Sequence, residues 1–276
     1  FTSDDLRGDQ AGDAGAEVSP FEDKRWGVTL GGPIIPDRLF FYAGYEETDL
    51  GRPNDVGPTG GGFPIEEEFV TQAQFDEFER IARDVYGQDV LGYPRVLDET
   101  SVRYFGRIDA YLNEDHRLEA TYQRREEQKV ERDAGTDQLT GLASFEDEGT
   151  ISDYYSLRLY SDWTDRISTE LRVSRAEVAD QQGPFGFQEA SGESPTVRLA
   201  VGVQQVAGET TENGLLTTGP GIFRSANDLR TKIDQARFLM NIDADEHQIK
   251  LGAEINDLEV FNLFAINATG SLYFQN

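Results

Sequence analysis

Val102-Arg103-Tyr104-Phe105-Gly106-Arg107-Ile108-Asp109-Ala110-Tyr111-Leu112-Asn113-Glu114-Asp115-His116-Arg117-Leu118-Glu119-Ala120-Thr121-Tyr122-Gln123 reads as two alternating runs joined by a turn. In the first run Val102, Tyr104, Gly106, Ile108, Ala110 and Leu112 share one face, and Arg103, Phe105, Arg107, Asp109 and Tyr111 share the other. After Asn113-Glu114-Asp115-His116, the residues Leu118, Ala120 and Tyr122 alternate with Arg117, Glu119, Thr121 and Gln123. A side-chain period of two belongs to a strand with one apolar face, and the Asn/Asp-rich break between the runs predicts a hairpin.

Outward from this hairpin the pattern recurs. Tyr155, Leu157, Leu159 and Trp163 oppose Tyr154, Ser156, Arg158, Tyr160 and Asp162; beyond Thr164-Asp165-Arg166, Ile167, Leu171 and Val173 oppose Ser168, Glu170 and Arg172. Ala236, Phe238, Met240 and Ile242 turn through Asp243-Ala244-Asp245-Glu246 into Ile249, Leu251, Ala253 and Ile255, set against Gln248, Lys250, Gly252 and Glu254. Nearer the start, Trp26, Val28 and Leu30 lead through Pro33-Ile34-Ile35-Pro36-Asp37-Arg38 into the aromatic run from Leu39 to Tyr45. Further strands are expected at Thr196 to Val206 and Ile266 to Phe274, with partners unassigned. Helical spacing predicts a helix over Thr71 to Tyr86, where Phe75, Phe78, Ile81, Ala82 and Val85 recur at steps of three and four. It sits inside a long loop spanning 49–99.

Short turns close one end of each hairpin, and acidic, glycine-rich stretches such as Glu46 to Glu99, Glu126 to Thr150 and Ala179 to Pro195 connect the other. Outer-membrane barrels have this asymmetry, with strands of about ten residues facing lipid and lumen alternately. The expected fold is therefore all-β: part of an antiparallel up-and-down transmembrane barrel with long extracellular loops and one loop helix. Lipid-facing candidates are Tyr104, Ile108, Leu112, Leu157, Leu159, Trp163, Leu171, Phe238, Met240 and Leu251. Tyr104 and Trp163 stand near opposite strand ends, as interfacial girdles require. Lumen-facing candidates are Arg103, Arg107, Asp109, Glu119, Arg158, Glu170, Lys250 and Glu254. Arg103 and Arg107 are expected to pair with acids such as Asp109 and Glu119 across strands rather than hold a substrate. A soluble sandwich also alternates, but with shorter strands and balanced loops.

The chain has 276 residues, a formal charge of −27 and no cysteine. Disulfides, thiolate metal sites and cysteine nucleophiles are excluded, and so acidic a chain suits neither nucleic acid nor an anionic membrane surface. No HExxH, P-loop, G-x-S-x-G or dinucleotide fingerprint occurs, so no enzyme activity and no cofactor are expected. Asp243-Ala244-Asp245 opens like a calcium loop, but Gln248 stands where the loop needs glycine, and a hairpin turn is the better reading. His116 and His247 lie singly at turns, and no metal site is assigned to them. The start, Phe1-Thr2-Ser3-Asp4-Asp5, is neither a methionine start nor a signal peptide, and is read as internal to a longer protein.

The stretch Arg25 to Tyr42, with Gly31-Gly32-Pro33-Ile34, Asp37 and Phe40-Phe41, resembles a signature of TonB-dependent outer-membrane receptors of the Oar-like branch, where it forms an early barrel hairpin. Gly219-Pro220-Gly221-Ile222-Phe223-Arg224-Ser225-Ala226-Asn227, His247 to Glu254 and Val260 to Phe264 are similar to that branch too. The resemblance implies a barrel of about twenty-two strands, more than this chain supplies, so a plug, its TonB box and further strands would lie outside it. It implies transport of a bulky solute across the outer membrane of a Gram-negative bacterium, with outer-membrane lipid, the TonB complex (through the plug) and an unidentified substrate as partners. Strongly negative loops favour neutral or cationic cargo. Two other readings stay open from the residues: a complete barrel of eight to ten strands serving as adhesin or anchor, and a soluble secreted β-sandwich binding module.

Overall fold

The computed structural model describes residues 23–132, 137–207 and 210–275; the start read above as internal lies outside them. The strands are β1 (Asp23–Ile35), β2 (Leu39–Pro53), β3 (Val56–Thr59), β4 (Ile65–Thr71), β5 (Val96–Tyr111), β6 (His116–Glu131), β7 (Gln138–Thr140), β8 (Glu146–Thr164), β9 (Ile167–Pro184), β10 (Arg198–Ala207), β11 (Thr210–Thr218), β12 (Asn227–Ala244), β13 (His247–Phe264) and β14 (Ser271–Phe274). The helix α1 covers Gln72–Tyr86.

Eight long strands make one antiparallel sheet in the order β1-β2-β5-β6-β8-β9-β12-β13, each beside its neighbour in the chain's up-and-down path. Register fixes the faces. Ile108 stands opposite Phe41 and Ala120, Ala120 opposite Leu157, Leu157 opposite Val173, Val173 opposite Ala236 and Ala236 opposite Ile255. One pleat away, the polar residues form an equally continuous row. Among the described residues no second sheet packs over the apolar face, whose Leu30, Leu157 and Leu251 are 66%, 43% and 52% exposed, so their layers are not those of a sandwich. Among the described residues β1 pairs with β2 alone and β13 with β12 alone, so the sheet is open rather than closed into a small barrel.

These eight strands run to 13–19 residues, well beyond the expected ten. The loop expected over 49–99 shrinks to 54–95, because β2 continues to Pro53 and β5 begins at Val96. The extra length has a physical cause. Above the aliphatic band the strands carry charged side chains on both faces, so pairing continues while the alternation that marks it in sequence stops. For the same reason Tyr104 lies midway along β5, and Trp163 alone of the two expected girdle residues sits at a strand end.

The long connections fold together. They supply a second sheet, β14-β10-β11-β7, in which β10 pairs antiparallel with β11 and parallel with β14. The two strands left without partners in the sequence reading thus pair with each other; the second starts at Ser271 because Asn267 and Gly270 take positive φ values of 50° and 77° in the preceding turn. Phe69 and Val70 of β4, Phe75, Phe78 and Ala82 of α1, Val90, Leu139 of β7 and Leu216 of β11 form one buried core. The helix is well specified: Thr71 and Gln74 form a capping box, and Gly87 ends it at φ 67°.

Replacing Phe75, 1% exposed, with alanine is expected to cost the cap about 3–5 kcal/mol. Hydrogen exchange should show α1, β10 and β11 losing protection while β5, β6 and β8 keep theirs; uniform loss throughout would show that the cap and the long sheet do not unfold separately.

Candidate functional site

The short turns are locally determined. The Asn113 side-chain oxygen accepts hydrogen bonds from the Asp115 and His116 amides at 2.9 and 2.8 Å, and the Thr164 hydroxyl accepts from Arg166 and Ile167 at 3.2 and 3.1 Å. In the Gly-Gly-Pro-Ile block, Asp37 takes φ 60° in the turn after Ile35, and the ladder skips Ile34 between the Pro33–Phe40 and Ile35–Leu39 pairs. Phe41 falls on the apolar face with Ile108, and Phe40 on the polar face opposite Asp109. Gly31 tucks against Tyr42, and Gly32 stands in open space. Asp243 to Glu246 close a hairpin in which Asp245 pairs with Arg166 at 2.9 Å, and His116 packs edge-on against Trp163 at 5.1 Å.

The polar face near these turns carries a connected set of charges. Arg107 grips Asp109 through two hydrogen bonds of 2.6 and 2.8 Å and reaches Glu119 at 3.1 Å. Glu119, only 8% exposed, also meets Arg158 at 3.7 Å, and Arg158 meets Glu170 at 3.4 Å. Five of the expected residues thus come together across β5, β6, β8 and β9. Arg117 joins them through Asp109 at 3.7 Å and by stacking on Tyr160 at 4.3 Å. Arg103 stands higher, between Glu46 at 2.9 Å and Glu127 at 3.3 Å, and so pairs with neither Asp109 nor Glu119. Glu254 faces Arg237 at 3.9 Å, while Lys250, opposite Asn241, joins none of these pairs.

A second set lies where the sheet meets the cap. Arg52 bridges Glu99 and Glu131, each at 3.3 Å, and Lys129 joins Glu131 to Glu148 at 2.7 and 3.3 Å. Arg224 ends the series, 3.0 Å from both Glu146 and Glu148 and bonded to Gln182 at 3.2 Å. It belongs to the Gly219–Asn227 block, which enters through a glycine at φ 91° where a Cβ would stand 2.7 Å from the Val197 carbonyl. The sequence reading missed Arg52, Arg172, Arg224 and Arg237 as site residues. Arg172 was legible, since it shares a face with Glu170 two residues away; Arg224 was not, because its partners are contributed by other strands.

The opposite face is layered. Above the aliphatic band runs an aromatic row, with Tyr45 5.0 Å from Trp26 and 5.2 Å from Tyr104, and Tyr122 5.1 Å from Tyr155. Above that come ion pairs: Arg124 with Asp153 at 2.7 Å and Arg175 with Asp234 at 2.7 Å. Aliphatic, aromatic and charged bands in that order match the depth profile of a bilayer leaflet.

No protein-family model matches the chain, and no curated protein matches it in sequence. The fold does have a counterpart. The outer membrane transporter YddB from Escherichia coli aligns with a TM-score of 0.54 at 10% identity, over 95% of this chain and 29% of that one. The chain spans less than a third of that structure's length, and the likeness is one of fold.

Two cap carboxylates are displaced in opposite directions. The amides of Gly60 and Gly62 bond Glu66 and hold its carboxyl below the ordinary 4.5. Burial pushes Glu189 above 4.5, against the pull of the Asn227 amide, which it accepts at 3.1 Å. A lowered value adds stability that is present above 4.5 and lost as pH falls through the folded value; a raised one adds stability that is complete below 4.5 and lost as pH rises through the folded value. Hydrogen exchange should therefore show the Asn227 tether gaining protection as pH drops from 7 to 4.5, and the Gly60–Glu66 turn losing it only below 4.5. Separately, Glu119→Ala, which removes a carboxylate shared by two arginines but leaves Arg107 with Asp109 and Arg158 with Glu170, should cost about 1–3 kcal/mol, whereas Arg230→Ala, breaking an exposed pair with Asp228, should cost about 0–1 kcal/mol; thermal unfolding in detergent distinguishes them.

Proposed function

We propose that this chain is wall and mouth of a TonB-dependent outer-membrane transporter that moves a bulky solute across the outer membrane of a Gram-negative bacterium. The observation that carries the reading is the bare apolar row running from Phe41 to Ile255 across seven adjacent strands, backed on the other face by a continuous row of mostly charged residues. In water that face would be an aggregation surface; in a bilayer it is the required one. The lipid-facing set is then Tyr104, Ile108, Leu112, Leu157, Leu159, Trp163, Leu171, Phe238, Met240 and Leu251. The lumen-facing set is Arg103, Arg107, Asp109, Glu119, Arg158, Glu170, Lys250 and Glu254, with the cap over the outer mouth. The fold counterpart supports the transporter architecture. Energy coupling through TonB rests on the Gly31 to Phe41 block alone and requires a plug with a TonB box encoded upstream in the gene. No catalytic step is assigned.

The chain lacks cysteine, so single substitutions give clean probes. In outer-membrane vesicles, a small water-soluble thiol reagent is expected to modify Ser156→Cys and Tyr160→Cys and to leave Leu157→Cys and Leu159→Cys unmodified. Equal modification of all four would overturn the membrane-wall assignment.

A further inference from the structure

Along one rung of the polar face, Arg158 of β8, Arg172 of β9 and Arg237 of β12 stand directly opposite one another. Like charges in register across a sheet destabilise it, so such a rung needs counter-charge. Arg158 has Glu119 and Glu170, and Arg237 faces Glu254. Arg172 makes no ion pair among the described residues, and its Nε is buried without a hydrogen-bond partner. A guanidinium nitrogen kept from water and left unpaired is costly unless something supplies the missing acceptor.

Space for that acceptor exists. Arg172 lines a hollow of about 260 Å³ together with Arg158, Thr121, Ser156, Ser174 and Gln235. Glu119 borders it too, but its charge is already shared between Arg107 and Arg158. The Ser174 hydroxyl bonds Gln235 at 3.3 Å. What remains is one uncompensated positive charge among hydroxyls, the donor set that receives a carboxylate or phosphate group.

We infer that the hollow around Arg172 is an oxyanion-binding station on the inner wall, taking a carboxylate or phosphate group of a passing solute. This rests on the barrel-wall reading for the statement that the hollow faces the lumen. It also refines the expectation drawn from charge: the acidic chain as a whole repels free anions, so the suitable solute carries its oxyanion on a body that is otherwise neutral or cationic. A headgroup of the surrounding lipid is not the source, because the station lies on the face opposite the apolar row.

The probe is inorganic phosphate, with chloride at matched ionic strength as control. Gln123→Cys, in the lining of the hollow, carries an environment-sensitive fluorophore on the protein in outer-membrane vesicles. Phosphate is expected to give a saturable signal that chloride does not, weakened about tenfold or more by Arg172→Gln and partly retained by Arg172→Lys. Because Arg172→Gln relieves repulsion along the rung, its unfolding temperature should be no lower than the parent's. The absence of a saturable signal, or one that Arg172→Gln leaves intact, would overturn the station. So would a fall in the unfolding temperature of Arg172→Gln with the signal lost in Arg172→Lys too, since Arg172 would then be packing the wall. If Gln123→Cys resists a water-soluble label, the wall reading fails and the station with it; if it labels and phosphate is silent, the station alone fails.

Discussion

Everything in this chain follows from one unshielded face. Eight strands place their aliphatic side chains on the same side, and none of the described residues covers them; such a surface is stable only against an apolar medium. That requirement dictates the sequence pattern on the other side as well. A strand that faces lipid outward has only its alternate positions left for polar chemistry, so the charges are confined to rungs. Register then decides which charge meets which: Asp109 and Glu119 are neighbours on a rung and are held by Arg107, which lies two residues along β5.

The same restriction explains why the polar face is organised as shared pairs rather than as separate bridges. Glu119 serves Arg107 and Arg158; Glu131 serves Arg52 and Lys129; Glu148 serves Lys129 and Arg224. Each carboxylate ties two strands or a strand and the cap, so the wall is stiffened laterally by side chains in addition to its backbone ladder. Removing one member weakens two partners at once, though each keeps a second carboxylate: Arg107 has Asp109, Arg158 has Glu170 and Arg52 has Glu99.

Much of this was legible in sequence, and the boundary of legibility is physical. Four hairpins with their turns could be read because each aliphatic face announces itself at a period of two. The helix could be read because Phe75, Phe78 and Ala82 repeat at helical spacing. The upper halves of the strands could not, since Glu126 to Glu131 and Glu146 to Thr150 carry no apolar alternation while still pairing in register. The second sheet was hidden for a different reason: β7 and β14 have three and four residues, too few to show a period, and their pairing depends on neighbours more than seventy residues distant in the chain. Within the polar set, Arg107, Asp109, Glu119, Arg158 and Glu170 were identifiable as sharing a face, whereas the isolation of Arg172 emerges only when its rung is assembled from three strands.

The common core of the cap has a consequence for how such a surface can diversify. Phe69 and Phe75 come from one connection, Leu139 from another and Leu216 from a third, so no connection is a free-standing loop. Exposed loops usually tolerate insertion and replacement because little else depends on them. Here a lengthened or exchanged segment would leave a cavity or a clash in material supplied by the other two. A change in the shape of this cap would have to proceed as a coordinated revision of three distant stretches of the gene, while exposed side chains of α1 such as Glu77, Arg80 and Asp84 can drift independently.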